Sequence, residues 1–482
     1  MYPVSCAMPG AYWSQIYRGH IVRTFIAAMA LLVCVISQAQ ETKDPASATV
    51  LRAWLAAFNS GDLKQWMSFD EVYQPARKMA QIGDFFRQTG GFSLVRVETS
   101  GATSTKALVR EKNSGAIARM EVQLSADQPP KLLSIGIRVI PPPPDLAPAR
   151  MPMPEALAAI GARLDMAAAS DNFSGAVLIA RNGNILLEKA WGRADRDNNV
   201  AVTTGHQFRL GSMNKMFTAV AILQLVEAGK ISLDAPIGTY LGDYPNAEIA
   251  QKVTVRHLLT HTGGTGDIFG PEFEKNRLSL KTTADYLKLY GERAPLFAPG
   301  TQSRYSSYGF VLLGAIIEGV SGMSYYDYVD RNIFQPAGMN ATASLPESAI
   351  VPRRASGYLK KDGKWVSNAD TLPWRGTSAG GGYSTVGDLL HFAEALQSGK
   401  LISKNLLAQA ISEQKDRHGF GFGIHDDGEW QGYGHGGGAP GMNGELRIVP
   451  KQGYVVVVLS NLDPPVATQA LDYILARLPA AS

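Results

Sequence analysis

Gly211 to Leu225 reads GSMNKMFTAVAILQL, and it sets a hydroxyl residue, Ser212, and a lysine, Lys215, at the front of an apolar helical run. Residues i and i+3 of a helix share a face, about one turn apart. The first turn also leaves its backbone N–H groups without an intrahelical partner. One short segment can therefore supply a hydroxyl nucleophile, an amine to take its proton and one donor for a developing oxyanion. Burial lowers a lysine pKa, and the neutral amine then acts as a base. Taken alone, the segment is better read as an ordinary helix start, with Ser212 as cap and Lys215 on the surface. The same S-x-x-K spacing recurs at Ser412-Glu413-Gln414-Lys415, in a highly charged stretch after the helix-like Leu406–Ala410. That copy has no built-in oxyanion donor.

Two stretches further along the chain change the weighing. Arg304-Tyr305-Ser306-Ser307-Tyr308-Gly309 lies in a loop after Phe297-Ala298-Pro299-Gly300 and ahead of an apolar helix at Phe310–Val320. A loop tyrosine delivered to Ser212 can exchange its proton with Lys215 or with a leaving group. Tyr433-Gly434-His435-Gly436-Gly437-Gly438-Ala439-Pro440-Gly441 precedes a strand at Gly444–Val449. Glycines beside a strand let a ligand approach the backbone closely. Each stretch by itself also fits a packing tyrosine or a tight loop with a solvated histidine.

In this order and spacing the three resemble the motifs of the β-lactamase-related serine hydrolases, the group of class C β-lactamases, D,D-peptidases and esterases. The resemblance runs from about Glu155 to Leu478. It is supported by Phe208-Arg209-Leu210-Gly211-Ser212, Val255–Gly263 (VRHLLTHTG), Phe297–Gly300 and Ser378–Ser384 (SAGGGYS). It implies that Ser212 attacks a carbonyl and is acylated, while Lys215 and Tyr305 share the acid–base work. His435, Gly436 and Gly437 would hold the place of a Lys-Thr-Gly strand motif, and the amides of Ser212 and Gly438 would form the oxyanion hole. No metal or organic cofactor is implied. The implied substrate is a small-molecule or peptide-like acyl compound.

Two departures bear on that substrate. The family's second motif is Tyr-x-Asn, whereas this chain has Tyr305-Ser306-Ser307, and Ser307 has no carboxamide to contact a substrate amide. His435 replaces a lysine, and a largely neutral imidazole attracts a carboxylate less than an ammonium does. Both lean towards an esterase or D-amino-acid peptidase over an efficient β-lactamase.

Three rival readings rest on other residues. Gly376-Thr377-Ser378-Ala379-Gly380 matches the G-x-S-x-G elbow of α/β-hydrolases but lacks the flanking strand and the immediate helix. His257 and His261 have the i, i+4 spacing of a zinc pair on a helix, without the glutamate of H-E-x-x-H. A non-catalytic binding or regulatory protein on the same fold is the third.

The rest of the chain gives its organisation. At 482 residues it is long for one domain. Its 45% hydrophobic and 18% charged content is that of a globular protein. A net charge of +4 with no dense basic run gives no reason to expect nucleic acid. Residues 1–39, with Arg18 and Arg23 ahead of the apolar Phe25–Ile36, read as a signal peptide. Both cysteines, Cys6 and Cys34, fall in it, so the mature chain is expected to have no thiol, no disulfide and no stable membrane span. The implied location is outside the cytoplasm, in a bacterial periplasm. Residues 42–140 read as a helix followed by alternating strands, a small α+β unit resembling NTF2-like domains through Phe58-Asn59-Ser60-Gly61-Asp62. Partner binding or dimerisation is the role expected of it. Residues 141–154 are a Pro-rich linker, expected to be stiff and extended. Residues 155–482 are then one α/β domain of β-lactamase/transpeptidase-like fold, an antiparallel sheet flanked by helices with a helical insert. Its first strands form a hairpin about Asn182-Gly183.

Overall fold

The computed structural model of the protein describes residues 44–73, 82–140, 142–147, 150–361, 363–426 and 430–480. The expected leader and both cysteines lie outside the described residues. The first unit comprises α1 (Ala46–Asn59), α2 (Leu63–Tyr73) and α3 (Ile82–Thr89), then β1 (Phe92–Ser100), β2 (Ser104–Glu111), β3 (Ile117–Leu124) and β4 (Leu132–Val139). The four strands pair antiparallel in sequence order. The inward side of α1 buries Leu51, Trp54 and Phe58 against Ala107, Val109 and Met120 of the sheet. Asn59 explains the Phe58–Asp62 turn. Its side-chain carbonyl accepts from the Phe92 amide and its side-chain amide donates to the Phe92 carbonyl, each at 2.7 Å, which locks the helix end onto β1.

Between the two units the chain turns instead of extending. The amides of Leu146 and Ala147 both bond the Pro143 carbonyl, at 2.8 and 2.9 Å. Arg150 then donates to the carbonyls of Leu475 and Leu478, at 2.9 and 2.7 Å, and its guanidinium lies over Trp430. The expected stiff spacer is thus a bent segment fastened to the C-terminal end of the chain.

The second unit opens with α4 (Met153–Ala169), β5 (Gly175–Arg181) and β6 (Asn184–Trp191). Asn182 and Gly183 both have positive φ, 50° and 79°, as a two-residue hairpin turn requires. Next come β7 (Phe208–Arg209), a 3₁₀ turn at Gly211–Met213, α5 (Asn214–Glu227), α6 (Val255–Leu259) and α7 (Ser307–Ser321). β8 (Tyr383–Ser384) pairs with β7 and leads into α8 (Val386–Gln397). The chain ends with β9 (Gly423–His425), β10 (Gly432–Ala439), β11 (Met442–Val449), β12 (Tyr454–Ser460) and α9 (Val466–Leu475). The main sheet has six strands in the order β9-β10-β11-β12-β5-β6, so the C-terminal strands complete the N-terminal hairpin.

The unbroken apolar run of β12 follows from burial on both faces. Val456 and Val458 join Val177 and Ile179 under α4 and α9. Val455, Val457 and Leu459 face the larger core that holds Phe217 and Val220 of α5 and Phe392 of α8. α5 is buried from Asn214 through Leu223, consistent with an apolar surface on every side. Among the described residues no single helix is long and apolar enough to cross a membrane.

Candidate active site

Ser212 sits in the 3₁₀ turn that joins β7 to α5. The turn is pinned from two sides. The Leu210 amide bonds the Gly382 carbonyl and the Gly381 amide bonds the Gly211 carbonyl, both at 3.1 Å. Behind it, Arg209 grips Glu347 with two parallel bonds, Nε–Oε1 at 3.2 Å and Nη2–Oε2 at 2.8 Å. Gly211 has φ +53°, and a Cβ there would stand 3.0 Å from the Gly438 amide nitrogen. Glycine is therefore required twice at this position, by conformation and by space.

Lys215 is fully buried. Its Nζ lies 3.2 Å from Ser212 Oγ and donates to the Ala379 carbonyl. Ala379 belongs to the loop 376–382, which α5 holds by two more bonds, Asn214 Nδ2 to Thr377 O at 2.7 Å and Thr218 Oγ1 to Ser378 O at 2.6 Å. Desolvation lowers the Lys215 pKa to about 7, against a smaller opposing pull from the Asp267 carboxylate. Close to neutral pH a large share of Lys215 is thus an uncharged amine within reach of the serine hydroxyl.

Tyr305 packs its ring over Lys215 Nζ at 4.7 Å and against the His261 imidazole at 4.4 Å. The residue is 39% exposed, but its phenol faces Ser212 and is hydrogen-bonded to it. Desolvation pushes that phenol up to about 12, with the Ser212 bond pulling the other way. It is protonated at neutral pH and stands ready as a donor.

His435, Gly436, Gly437 and Gly438 lie in β10, paired there with β11, where a glycine loop beside a strand is the sequence expectation. The glycines are explained by contact. A Cβ on Gly437 would fall 1.9 Å from the Leu210 carbonyl oxygen and 3.1 Å from the Ser212 nitrogen. β10 thereby lies directly against the serine turn at Gly437 and Gly438. His435 Nδ1 bonds the Gly436 carbonyl, so the ring carries its proton there. Burial first, and then the Lys215 charge, depress His435 to about 3, so the imidazole is neutral.

Ser307 is buried at the first position of α7, and its amide donates to Asp267 Oδ1 at 3.1 Å. Ser306 caps the same helix, accepting from the Gly309 amide at 2.8 Å. The site thus gathers Ser212, Lys215, Tyr305, His435 and Gly436–Gly438, with Ser307 bordering them.

The rival residues go elsewhere. Ser378 is buried and donates to the Phe310 carbonyl at 2.9 Å, which leaves its hydroxyl without a base. α6 ends at Leu259, so His257 and His261 do not share a helix; His261 follows it with φ +58°. His257 Nδ1 accepts from the Thr254 amide, and His261 Nδ1 accepts from the Ser306 amide, each at 3.2 Å. Among the described residues no group of three or more His, Cys, Asp or Glu could hold a metal ion. Ser412 and Lys415 bond to Gln409 O and Thr301 O, at 2.8 and 2.9 Å.

Asp267 and the Tyr305-stacking role of His261 are not legible from the motifs. The one signal is that Asp267 is the only acid between Thr260 and Gly270.

A family model described as Beta-lactamase matches residues 163–481. Penicillin-binding protein 4 of Amycolatopsis lactamdurans is 31% identical over 321 residues, covering 62% of this chain and 84% of that protein. Esterase EstB of Burkholderia gladioli is 29% identical over 316 residues, covering 58% of this chain and 79% of that protein. Of the solved structures, a D-stereospecific amidohydrolase from Streptomyces sp. is 27% identical, with a TM-score of 0.55 and coverage of 65% of this chain and 97% of that one.

Proposed function

This chain belongs to the beta-lactamase family, and on that premise we propose that it is a serine hydrolase that works through an acyl-enzyme on an ester or amide. The observation that carries the proposal is the fully buried Lys215, its amine 3.2 Å from Ser212 Oγ and its pKa near 7. In the proposed cycle the neutral amine takes the Ser212 proton as Oγ attacks the substrate carbonyl. The amides of Ser212 and Gly438 hold the oxyanion. Tyr305, protonated at neutral pH, passes a proton to the leaving group. Water, deprotonated by the same pair, then releases the acyl group from Ser212.

Substrates without a carboxylate beside the scissile bond suit this reading. His435 is neutral and offers no charge for a carboxylate, and Ser307 offers no carboxamide. Esters and amino-acid amides are therefore favoured over penicillin-like amides. The relatives span the same range, with an esterase, a D-stereospecific amidohydrolase and a penicillin-binding protein among them. We assign residues 42–140 to an NTF2-like accessory unit on their helix-then-sheet order, and the mature chain to the periplasm on the composition of residues 1–39.

The test is a panel of p-nitrophenyl butyrate, D-alanine p-nitroanilide and nitrocefin on the wild type and Ser212→Ala. We expect hydrolysis of the first two with Ser212-dependent acyl adducts in the mass spectrum, and little turnover of nitrocefin. Activity that survives in Ser212→Ala would defeat the nucleophile assignment. No adduct and no turnover in the wild type would leave the non-catalytic binding protein as the better reading.

A further inference from the structure

The loop 376–382, which offers its Ala379 carbonyl to Lys215, also walls a small pocket. Thr377 and Ser378 line it together with Tyr286 of the helix Thr283–Tyr290, Tyr325 and Tyr326 of the helix Tyr325–Val329, and Arg375. Its volume is about 10 Å³, space for a single water or monatomic ion. Several polar groups of the wall are already committed. Tyr326 Oη donates to the Gly376 carbonyl at 2.8 Å, and Ser378 Oγ to the Phe310 carbonyl at 2.9 Å. The Tyr325 hydroxyl bonds Asn214 and Thr218 of α5, at 3.1 and 2.8 Å. The same two side chains donate to the Thr377 and Ser378 carbonyls.

What remains for an occupant is donors. Tyr286 is 2% exposed, and among the described residues its hydroxyl has no hydrogen-bond partner. Arg375 is half-buried, with its guanidinium carbon 3.3 Å from the centre of the Tyr326 ring and its Nε bonded to the Ser344 carbonyl. Among the described residues no carboxylate pairs with it, and none lines the pocket. Lys281 adds a second positive charge at the exposed rim. Asp285, the acid close by, is turned to the amides of Lys281 and Thr282, at 2.9 and 2.8 Å, and Asp327 is exposed. A guanidinium has donors and no acceptor, and partial burial strips it of water without supplying a counter-charge.

We propose that this pocket binds one monatomic anion of the halide class, held by the Tyr286 hydroxyl and the Arg375 guanidinium, and that the anion ties the helix Thr283–Tyr290 to the loop 376–382. A water needs acceptors for its own hydrogens, and the Thr377 and Ser378 carbonyls are taken. A cation in the same place is repelled by Arg375. Sulfate, phosphate and carboxylates exceed the space.

The test needs no substrate, so it stands apart from the acyl-enzyme reading. Thermal unfolding is followed in sodium gluconate at fixed ionic strength, with chloride or bromide replacing gluconate in steps. Gluconate is too large to enter. Tm should rise saturably with halide, by about 2 °C or more. Crystals grown in bromide should show an anomalous peak between Tyr286 and Arg375. Tyr286→Phe keeps the ring and removes the hydroxyl, and Arg375→Gln removes the charge. Each should move the halide midpoint up by about tenfold or more, the order set by one hydrogen bond to a charged group. Tyr286→Phe also removes a buried hydroxyl without a partner, so its Tm in gluconate should not fall, which separates loss of the anion from loss of the fold. A Tm equal in gluconate and chloride, a pocket without bromide, or an unchanged halide midpoint in either variant overturns the inference. A water as sole occupant gives the first two of these results.

Discussion

Lys215 is where stability and activity conflict. An amine with no exposed surface and a folded pKa near 7 is a costly thing to bury. Its unfolded value, 10.5, is higher, so below pH 7 both states carry the proton and the native state bears the full cost of the buried charge. That cost fades as pH rises from 7 to 10.5. Lys215→Met should therefore raise Tm by about 2 °C or more at pH 6, with a gain that shrinks towards pH 10. The same change should lower kcat/KM for p-nitrophenyl butyrate by at least about 10³-fold. A variant that is both inactive and less stable at pH 6 would contradict this account of the lysine. In the wild type, kcat/KM should rise with pH along an acid limb of apparent pKa about 7, because only the neutral amine takes the Ser212 proton. A limb near 4 would point to a carboxylate base instead. At this scale residue type and spacing select Ser212, Lys215 and Tyr305. They cannot reveal the influence of Asp267 on Lys215, because a lone acid in a glycine-rich loop looks the same on a surface as near a buried lysine.

Among the elements, β10 has the most exacting fit. Its glycines read as a loop in the sequence because the usual strand formers are missing. The structure makes them a strand because β11 pairs with it from Tyr433 to Ala439 and β9 with Gly432–Gly434, and a side chain at Gly437 would strike the serine turn. Gly437→Ala should thus separate β10 from Leu210 and cost about 10²-fold or more in kcat by spoiling the oxyanion donors. Far-ultraviolet circular dichroism should stay close to that of the wild type, and an unchanged kcat would show that the close packing of β10 is not needed. Asn443 belongs to the same device. It is buried on β11, accepts from the Ala467 amide of α9 at 2.7 Å and donates to the Gly437 carbonyl at 2.9 Å. On the other side of the turn, the Arg209–Glu347 pair is mostly buried and joined by Arg354 at 3.4 Å. Removing Arg209 leaves the buried Glu347 carboxylate with only the longer Arg354 pair, so Arg209→Met should cost about 2 kcal/mol in chemical denaturation. The i, i+4 pair His257 and His261 shows the opposite failure of pattern. Spacing predicts a shared helix face, but α6 stops two residues early and His261 turns into the left-handed region beneath Tyr305.

Over the whole molecule, α9 links the two units. Gln469 donates to Glu111 of β2 at 3.0 Å, while its neighbour Thr468 donates to Glu445 of β11, which pairs with Gly436 of β10. Burial raises the Glu111 pKa, so the folded state holds that proton more tightly than the unfolded one. The seam is then strongest at acid pH and loses stability as pH rises through the folded value. Glu111→Gln should flatten that dependence and raise Tm at pH 7, as scanning calorimetry at pH 4 and 7 would reveal; an identical loss between the two pH values in the variant would remove Glu111 as its cause. The sequence by itself determined the antiparallel sheet, its hairpin, the helical middle and the three motif stretches, because these depend on local periodicity, turn residues and reactive side-chain types. Only the tertiary structure decided that Lys215 is fully buried beside Ser212, that β10 is a strand and that the linker bends. Each of those depends on groups far apart in the chain coming together, where desolvation and close packing arise from neighbours that no local pattern specifies.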